Sequence, residues 1–181
     1  MKLSYVGPLP PPVTGQSAAT LRLANELTQK GVELIILDSS TRGATGIIGQ
    51  IRKVYGHVSA LVKMIGNDCS VYISLNANTG MWLSIFLVAF ARLLQRRTFL
   101  HHHTYAHVRK RQFRGLVLAR AAGQQGNHIV LSRTMGQELC RRYPEINRFF
   151  VLDNAGLIDP ALESIPLPER NPIVLGHMSN L

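Results

Sequence analysis

The feature of this sequence that most constrains its fold is a regular alternation of short apolar segments with longer segments of helical periodicity. The short segments predict strands over residues 3–6, 32–37, 71–75, 97–100, 129–131 and 149–152. The longer segments predict helices over 16–30, 47–65, 79–94 and 108–124, and a last helix that ends at Arg142 and is capped by Ser132 or Thr134. Strands separated by such helices pair in parallel through right-handed crossovers. The sequence therefore predicts an α/β fold with a doubly wound, Rossmann-like parallel sheet.

Composition narrows the class of protein. The 181 residues suit one ordinary domain, and 46% apolar residues supply a packed core. Two cysteines, Cys69 and Cys140, are too few for a disulfide framework and are expected to be core or helix residues. No signal peptide is apparent, and the longest apolar run, 81–94, is shorter than the ~20 residues of a spanning helix. We expect a cytoplasmic protein, and neither a secreted mini-protein nor an integral membrane protein.

The end of the chain differs in composition from the rest. Four prolines in 159–172 predict an extended linker between domains. After it, residues 173–181 read as a strand that enters a glycine turn, with no following helix to complete a βαβ unit. The expected organisation is a Rossmann-like domain over 1–158, the linker over 159–172, and the truncated start of a second domain over 173–181.

The formal net charge of +10 indicates an anionic partner or a solvated basic face. One group of cations, Arg109, Lys110, Arg111 and Arg114, opens the helix predicted over 108–124. The sequence has no helix-turn-helix, zinc-finger or RRM pattern, so no nucleic-acid partner is expected. This cluster has three possible interpretations. It can be a solvated face, it can hold an anionic acceptor, or it can contact the inner face of the cytoplasmic membrane in a peripheral protein.

The first strand-to-helix loop is the first candidate ligand site. In a parallel sheet, ligands bind beyond the carboxyl ends of the strands. Gly15 permits close approach of a ligand, and the N–H groups of Gln16 and Ser17 at the start of the helix can receive an anion. Neither G-x-G-x-x-G nor a P-loop motif is present, so Asp38 at the end of the second strand is interpreted as a strand-end cap. A rigid turn without a ligand is the alternative for this loop.

A histidine cluster, formed by His101, His102, His103 and His107, is the second candidate site. Strand alternation puts His101 and His103 on one face of the sheet and His102 on the other. No further ligand stands at metal-site spacing, so no metal is expected. The histidines can line a cleft as hydrogen-bonding groups or charge stabilisers, or they can be structural.

The order and spacing of five short stretches are similar to those of one enzyme family. These stretches are GPLPPPVTG over 7–15, His103-Thr104, VLS over 130–132, VLDNAGLID over 151–159, and LGHMSNL over 175–181. Together they resemble the N-terminal half of retaining GT-B-fold glycosyltransferases (family 4, group 1 type), which include phosphatidylinositol mannosyltransferases and bacterial polysaccharide and lipopolysaccharide transferases. The chain departs from that pattern at Gln16, where the family has a second glycine, and at Asp153, where it usually has proline.

The resemblance implies a function for each half of such an enzyme. The N-terminal domain binds a sugar or lipid-linked acceptor, and a C-terminal domain binds the nucleotide-sugar donor. His103 is implied to face the donor sugar as the catalytic histidine, while Gly15 and Gln16 offer N–H groups to the leaving diphosphate. No metal or other cofactor is implied. The expected setting is polysaccharide, lipopolysaccharide or glycolipid synthesis, and this chain alone is expected to be inactive because half of the cleft is missing.

Two other functions stay open from the residues. One is a non-enzymatic basic binding module built on the same doubly wound scaffold. The other is part of a sugar-nucleotide epimerase, which shares the two-domain architecture and needs no acceptor.

Overall fold

The computed structural model describes residues 1–154, and within them the chain forms a six-stranded, all-parallel sheet flanked by helices. The strands are β1 (Lys2–Gly7), β2 (Glu33–Asp38), β3 (Ser70–Ser74), β4 (Thr98–His101), β5 (Asn127–Val130) and β6 (Phe149–Val151). The helices are α1 (Gly15–Gln29), α2 (Gly46–Ile65), α3 (Met81–Leu93), α4 (Ala106–Arg109), α5 (Phe113–Ala122) and α6 (Arg133–Arg142), with a short 3₁₀ turn, Asn78–Gly80, before α3. The predicted linker over 159–172 and second-domain strand over 173–181 lie outside the described residues.

The strand order is β2-β1-β3-β4-β5-β6, and every neighbouring pair is parallel. The chain passes from β1 to β2 on one side, then returns to place β3 on the other side of β1. The predicted doubly wound, Rossmann-like fold is therefore confirmed. In such sheets the crossovers leave a crevice at the switch point, here between the carboxyl ends of β1 and β3.

The two faces of the sheet are covered unequally. On one face, α2, α3 and α5 pack on a core that includes Val6, Ile73 and Leu100. Helices α4 and α6 extend the same layer over Val130 of β5. On the opposite face, α1 covers Tyr5 of β1 and its neighbours. Both candidate sites lie where strands end and helices begin, along one edge of this sheet.

The almost wholly apolar segment 32–37 predicts a strand that is buried on both faces of the sheet, and the structure contradicts this prediction. Strand β2 pairs only with β1 and lies at an edge of the sheet, where the Ile36 side chain is 45% exposed. The returning crossover to β3 on the far side of β1 leaves β2 without a second neighbour in the described part of the chain. Continuous apolar sequence indicates a strand, but it does not fix the position of that strand in the sheet.

The prediction of a single basic helix over 108–124 is also wrong. The structure has two helices there, α4 and α5, separated by residues in an extended conformation. Lys110 has strand-like dihedral angles, and α5 begins only after Gln112. The buried Tyr143 hydroxyl holds this break: it accepts a hydrogen bond from Gln112 N and donates one to His107 O. Since Tyr143 follows α6, a tertiary contact overrides local helix propensity.

Candidate ligand crevice at the switch point

The start of α1 is fixed by a reciprocal cap. Thr14 Oγ1 accepts from Ser17 N at 3.1 Å, and Ser17 Oγ accepts from Thr14 N at 2.8 Å. This pairing uses the N–H of Ser17, which was one of the predicted anion donors. The N–H groups of Gly15 and Gln16 have no acceptor within residues 1–154. Two backbone donors at the positive end of a 15-residue helix are thus available to an anion.

The side chain of Gln16 joins the two strands of the switch point. Its Nε2 atom donates to Ser74 Oγ at 2.9 Å and to the Leu75 carbonyl at 3.0 Å, both at the end of β3. Beneath it, a Cβ atom on Gly7 would lie 2.8 Å from Thr20 Cγ2 and 2.9 Å from the Ser74 Cβ. Glycine at the end of β1 therefore lets α1 approach β3 closely, and Gln16 fixes that position.

A crevice of about 150 Å³ opens beside these residues. Its lining includes Thr14 and Gln16 from α1, Asn76 after β3, and Lys53 from α2. The Asn76 amide donates from Nδ2 to His57 Nε2 at 3.1 Å and to Ser84 Oγ at 3.2 Å, which fixes its orientation. The crevice therefore presents polar groups held by their own hydrogen bonds.

Lys53 lines the crevice and is not among the site residues predicted from the sequence. It is partly buried, and burial lowers the pKa of its amine below the usual value. Within residues 1–154 it has neither an ion pair nor a hydrogen-bond acceptor for its side chain. The sequence does contain an indication of this position. Lys53 falls on the inward stripe of α2 with Gly49, His57 and Ala60, where a charged residue is unusual.

Asp38 organises the neighbouring loop, as its interpretation as a strand-end cap predicts. Its carboxylate accepts from Leu9 N, from the backbone N and hydroxyl of Ser40, and from Arg42. Burial opposes ionisation, but these hydrogen bonds together lower the pKa of Asp38. The carboxylate ties the proline-rich loop to the loop after β2, so a structural role accounts for its contacts.

A wider groove of about 880 Å³ lies on the outer side of the same proline-rich loop. It runs between that loop, the free edge of β2 and the side of α2. Three cations line it, Arg42, Arg52 and Lys63, and of these Arg42 is paired with Asp38. The groove is large enough for a small phosphorylated or glycosylated molecule.

His103 lies after β4 at the end of a row of aromatic rings on the α1 face. The rings of Tyr5 and Tyr72 stack at 4.4 Å, Tyr72 Oη lies 2.6 Å from His101 Nδ1, and the rings of His101 and His103 lie 3.9 Å apart. Burial lowers the pKa of His103 to about 4, so its imidazole is neutral at pH 7. A neutral ring can donate or accept a hydrogen bond but cannot supply a positive charge, which favours the hydrogen-bonding interpretation.

His102 points to the opposite face, which confirms the predicted alternation. Its Nδ1 lies 2.8 Å from His107 Nε2, and its Nε2 lies 2.9 Å from Nδ1 of His128, a residue the sequence analysis did not group with the others. The three buried rings form a chain in which each contact shares one proton. No group of three or more His, Cys, Asp or Glu side chains among residues 1–154 is arranged to hold a metal ion.

The basic cluster is divided by the break between α4 and α5. Arg109 ends α4, Lys110 and Arg111 stand in the break, and Arg114 lies in the first turn of α5. The first three are exposed and Arg114 is partly buried. The four cations therefore do not open one helix, as the sequence predicts, but lie on either side of the break and within it. None of them forms an ion pair with another described residue, and we call this group the basic rim.

The structure brings the predicted site residues to one edge of the sheet without joining them in one cavity. Gln16 lines the crevice at β1 and β3, whereas His103 follows β4, the next strand along, and is not part of the crevice lining. The cations of the basic rim lie beyond His103 in the chain. Comparisons with protein-family models, curated proteins and solved structures find no match for this chain. Fold and crevice together define a Rossmann-like α/β protein with an anion-compatible site at its switch point.

Proposed function

We propose that this chain is the acceptor-side half of a nucleotide-sugar-dependent glycosyltransferase of the retaining GT-B kind. The observation that carries the proposal is the set of unpaired donors beside the switch point: the backbone N–H groups of Gly15 and Gln16 and the partly buried amine of Lys53. Departure of a nucleoside diphosphate develops negative charge, and fixed N–H dipoles and a desolvated cation stabilise such charge without a metal.

The neutral His103 supports the same assignment. An imidazole after β4, with a buried Nε2 that has no hydrogen-bond partner among the described residues, can hydrogen-bond a hydroxyl of the donor sugar. Its position next to the switch point along the sheet edge suits a donor whose diphosphate lies at α1. The nucleotide itself would be held mainly by a second domain.

The acceptor is proposed to bind in the wide groove beside the proline-rich loop. Arg52 and Lys63 line that groove without ion-pair partners in the described part of the chain, and both suit an anionic acceptor such as a lipid-linked phosphate. The basic rim, formed by Arg109, Lys110, Arg111 and Arg114, provides further cations on the same edge of the sheet. Synthesis of a cell-envelope polysaccharide or glycolipid is the corresponding setting.

The test is a sugar-transfer assay on the protein encoded by the complete gene, with radiolabelled UDP- and GDP-sugars and lipid extract as the acceptor source. The expected result is label transferred to an acceptor by that protein and none by residues 1–181 alone. Isomerised nucleotide sugar without an acceptor would identify an epimerase instead. Salt-dependent binding of DNA with no response to any nucleotide sugar would identify a basic binding module and overturn the proposal.

A further inference from the structure

The outward face of α2 is apolar along its whole length. Eight large apolar side chains of this helix are between 46% and 79% exposed. They are Ile47, Ile48, Ile51, Val54, Tyr55, Val58, Val62 and Ile65. The opposite stripe of the same helix, which includes Gly49, His57, Ala60 and Met64, is buried against the sheet. A surface helix of a globular domain normally places polar residues outward, so α2 is apolar on the face that its own domain does not cover.

The spacing of these residues makes one continuous stripe. Ile47, Ile51, Val54 and Val58 follow each other at intervals of three or four residues, and Val62 and Ile65 extend the series to the last turn. A helix of 20 residues is ~30 Å long. The exposed apolar surface of α2 is therefore a ridge of about that length.

The apolar surface continues onto the neighbouring helices of the same layer. On α3, the exposed side chains Trp82, Phe86 and Leu93 repeat at helical intervals. The Trp82 ring lies 6.3 Å from the ring of Phe113, which is 71% exposed at the start of α5. Phe113 follows the unpaired cations Arg109 to Arg111 in the sequence, so basic residues lie within a few positions of this apolar surface.

The charge around the surface has one sign. Between residues 39 and 137 the sequence contains a single carboxylate, Asp68, and its side chain is bonded to Arg96. Helices α2, α3, α4 and α5 contain no acidic residue at all. On α2, Arg52 and Lys63 flank the apolar ridge on the side of the groove. Arg120 of α5 is paired with Glu145, but Arg52, Lys63 and Arg109 form no ion pair with another described residue. The layer thus combines exposed apolar side chains with several unpaired cations.

We propose that this surface, formed by the outward faces of α2 and α3 with Phe113 and the basic rim, lies on an anionic lipid bilayer. Apolar side chains would enter the boundary between headgroups and acyl chains while the cations contact lipid phosphates. Within residues 1–154 no helix is long and apolar enough to span a membrane. Since the inner stripe of α2 packs on the sheet, its outer face would lie along the bilayer plane.

Charge complementarity selects the bilayer over other occupants. A second copy of the chain would bring the same unbalanced cations against each other across an isologous interface. A nucleic acid would satisfy the cations but would leave the ridge of isoleucine and valine side chains exposed to water. An anionic bilayer satisfies both groups at once. This inference does not depend on sugar transfer, and it holds or fails separately from the proposed function.

The test uses Trp82, the only tryptophan of the sequence, as an intrinsic probe in the full 181-residue chain. Vesicles of phosphatidylcholine with one-third phosphatidylglycerol should shift its emission to the blue, and brominated acyl chains should quench it. Phosphatidylcholine vesicles alone should bind at least tenfold more weakly. Binding should weaken as salt is added, because the cations contribute to it.

The matched variants are I47S/I51S/V58S on the ridge and L21S, an exposed leucine of α1 on the other face of the sheet. The triple variant should reduce vesicle partitioning at least tenfold while its thermal unfolding, followed by circular dichroism, stays as in the parent. L21S should bind as the parent does. Failure of the parent chain to bind the anionic vesicles would overturn the proposal. So would a dimer in light scattering that the triple variant dissociates, or DNA binding that leaves the Trp82 emission unchanged.

Discussion

The Tyr72 hydroxyl oxygen lies 2.6 Å from the Nδ1 atom of His101, and this hydrogen bond fixes the orientation of a buried histidine ring. Burial lowers the pKa of His101 to about 3 and raises that of Tyr72, so both groups are neutral at pH 7. Since the His101 ring lies 3.9 Å from that of His103, the hydroxyl positions the candidate catalytic histidine through one intermediate.

Replacing Tyr72 with phenylalanine tests the value of that hydrogen bond. Tyr72→Phe leaves the buried Nδ1 of His101 without its hydrogen-bond partner, which should lower the free energy of unfolding by about 1–3 kcal/mol. Urea denaturation followed by circular dichroism measures this change. Tyr55→Phe is the matched control, because the Tyr55 side chain is 74% exposed on α2 and should tolerate the loss of its hydroxyl. Equal stabilities for the two variants would show that the Tyr72 contact contributes nothing.

The role of His103 is tested by shape-matched amides in the transfer assay on the complete protein. If the ring hydrogen-bonds the donor sugar through Nε2, His103→Ala should lower kcat by about 100-fold or more. His103→Gln places an amide near the Nε2 position and should recover part of that loss, whereas His103→Asn should not. Gln124→Ala, an exposed residue at the opposite edge of the sheet, is the control. Full activity in His103→Ala would remove this histidine from the mechanism.

Acid stability should reflect the unusual number of buried histidines. Burial lowers the pKa of His103, His107 and His128 to about 4 and that of His101 to about 3, and it lowers the pKa of His102 well below the usual value. In the unfolded chain these groups titrate near 6.5. As pH falls below ~6.5, the unfolded chain binds protons that the folded chain does not, so stability is lost. Each such group contributes up to about 1.4 kcal/mol per pH unit, and the fold should unfold well above pH 4.

The control for this prediction measures a slope and does not depend on absolute stability. His128→Asn keeps a hydrogen-bonding group near the Nδ1 position that contacts His102 but removes one titrating ring. Between pH 6 and 4.5, the dependence of the unfolding free energy on pH should fall by about one proton in this variant. A parent chain whose stability is flat over that range would mean that the histidines are protonated in the fold.

The sheet could be predicted from the sequence because its signals are local. Each of the six strands lies within two residues of its predicted position, since apolar runs bounded by helical segments leave few alternatives. The edge position of β2 could not be predicted from Val32–Leu37, because strand order depends on crossovers far away in sequence. The break in the helix predicted over 108–124 could not be predicted either, because it is caused by Tyr143, which contacts His107 from more than thirty residues away in sequence.

The candidate site was predictable in part for the same reason. Gly15 and Gln16 follow from the rule that ligands bind beyond the carboxyl ends of parallel strands, and the structure leaves their N–H groups unpaired within the described residues. The bond from the Gln16 side chain to Ser74 depends on two strands being neighbours and has no local signal. Lys53 joins the crevice from a third element, so only its place on a buried helical stripe could have indicated it.

The two glycines of the switch point should respond differently to the same substitution. A Cβ on Gly7 would meet Thr20 and Ser74 at less than 3 Å, so Gly7→Ala should cost about 1–3 kcal/mol of stability. Nothing lies within 4 Å of a Cβ on Gly15, so Gly15→Ala should leave the melting temperature unchanged or slightly higher. The added methyl should nevertheless weaken diphosphate binding, measured as a higher KM for the nucleotide sugar in the complete protein. Unchanged KM in Gly15→Ala would place the diphosphate elsewhere.

Lys53 should show opposite effects on stability and on ligand binding. Its amine is partly desolvated without a partner among the described residues, so Lys53→Met, which keeps the length of the side chain, should raise the melting temperature. If the amine contacts the diphosphate, the same variant should raise the KM for the nucleotide sugar by about 10- to 100-fold, the value of a hydrogen bond to a charged group. Lys53→Arg keeps the charge and should retain most of the affinity. Lys30→Met, an exposed lysine at the end of α1, is the control and should change neither quantity. A stabilised Lys53→Met protein with the parent KM would show that this cation does not contact the donor.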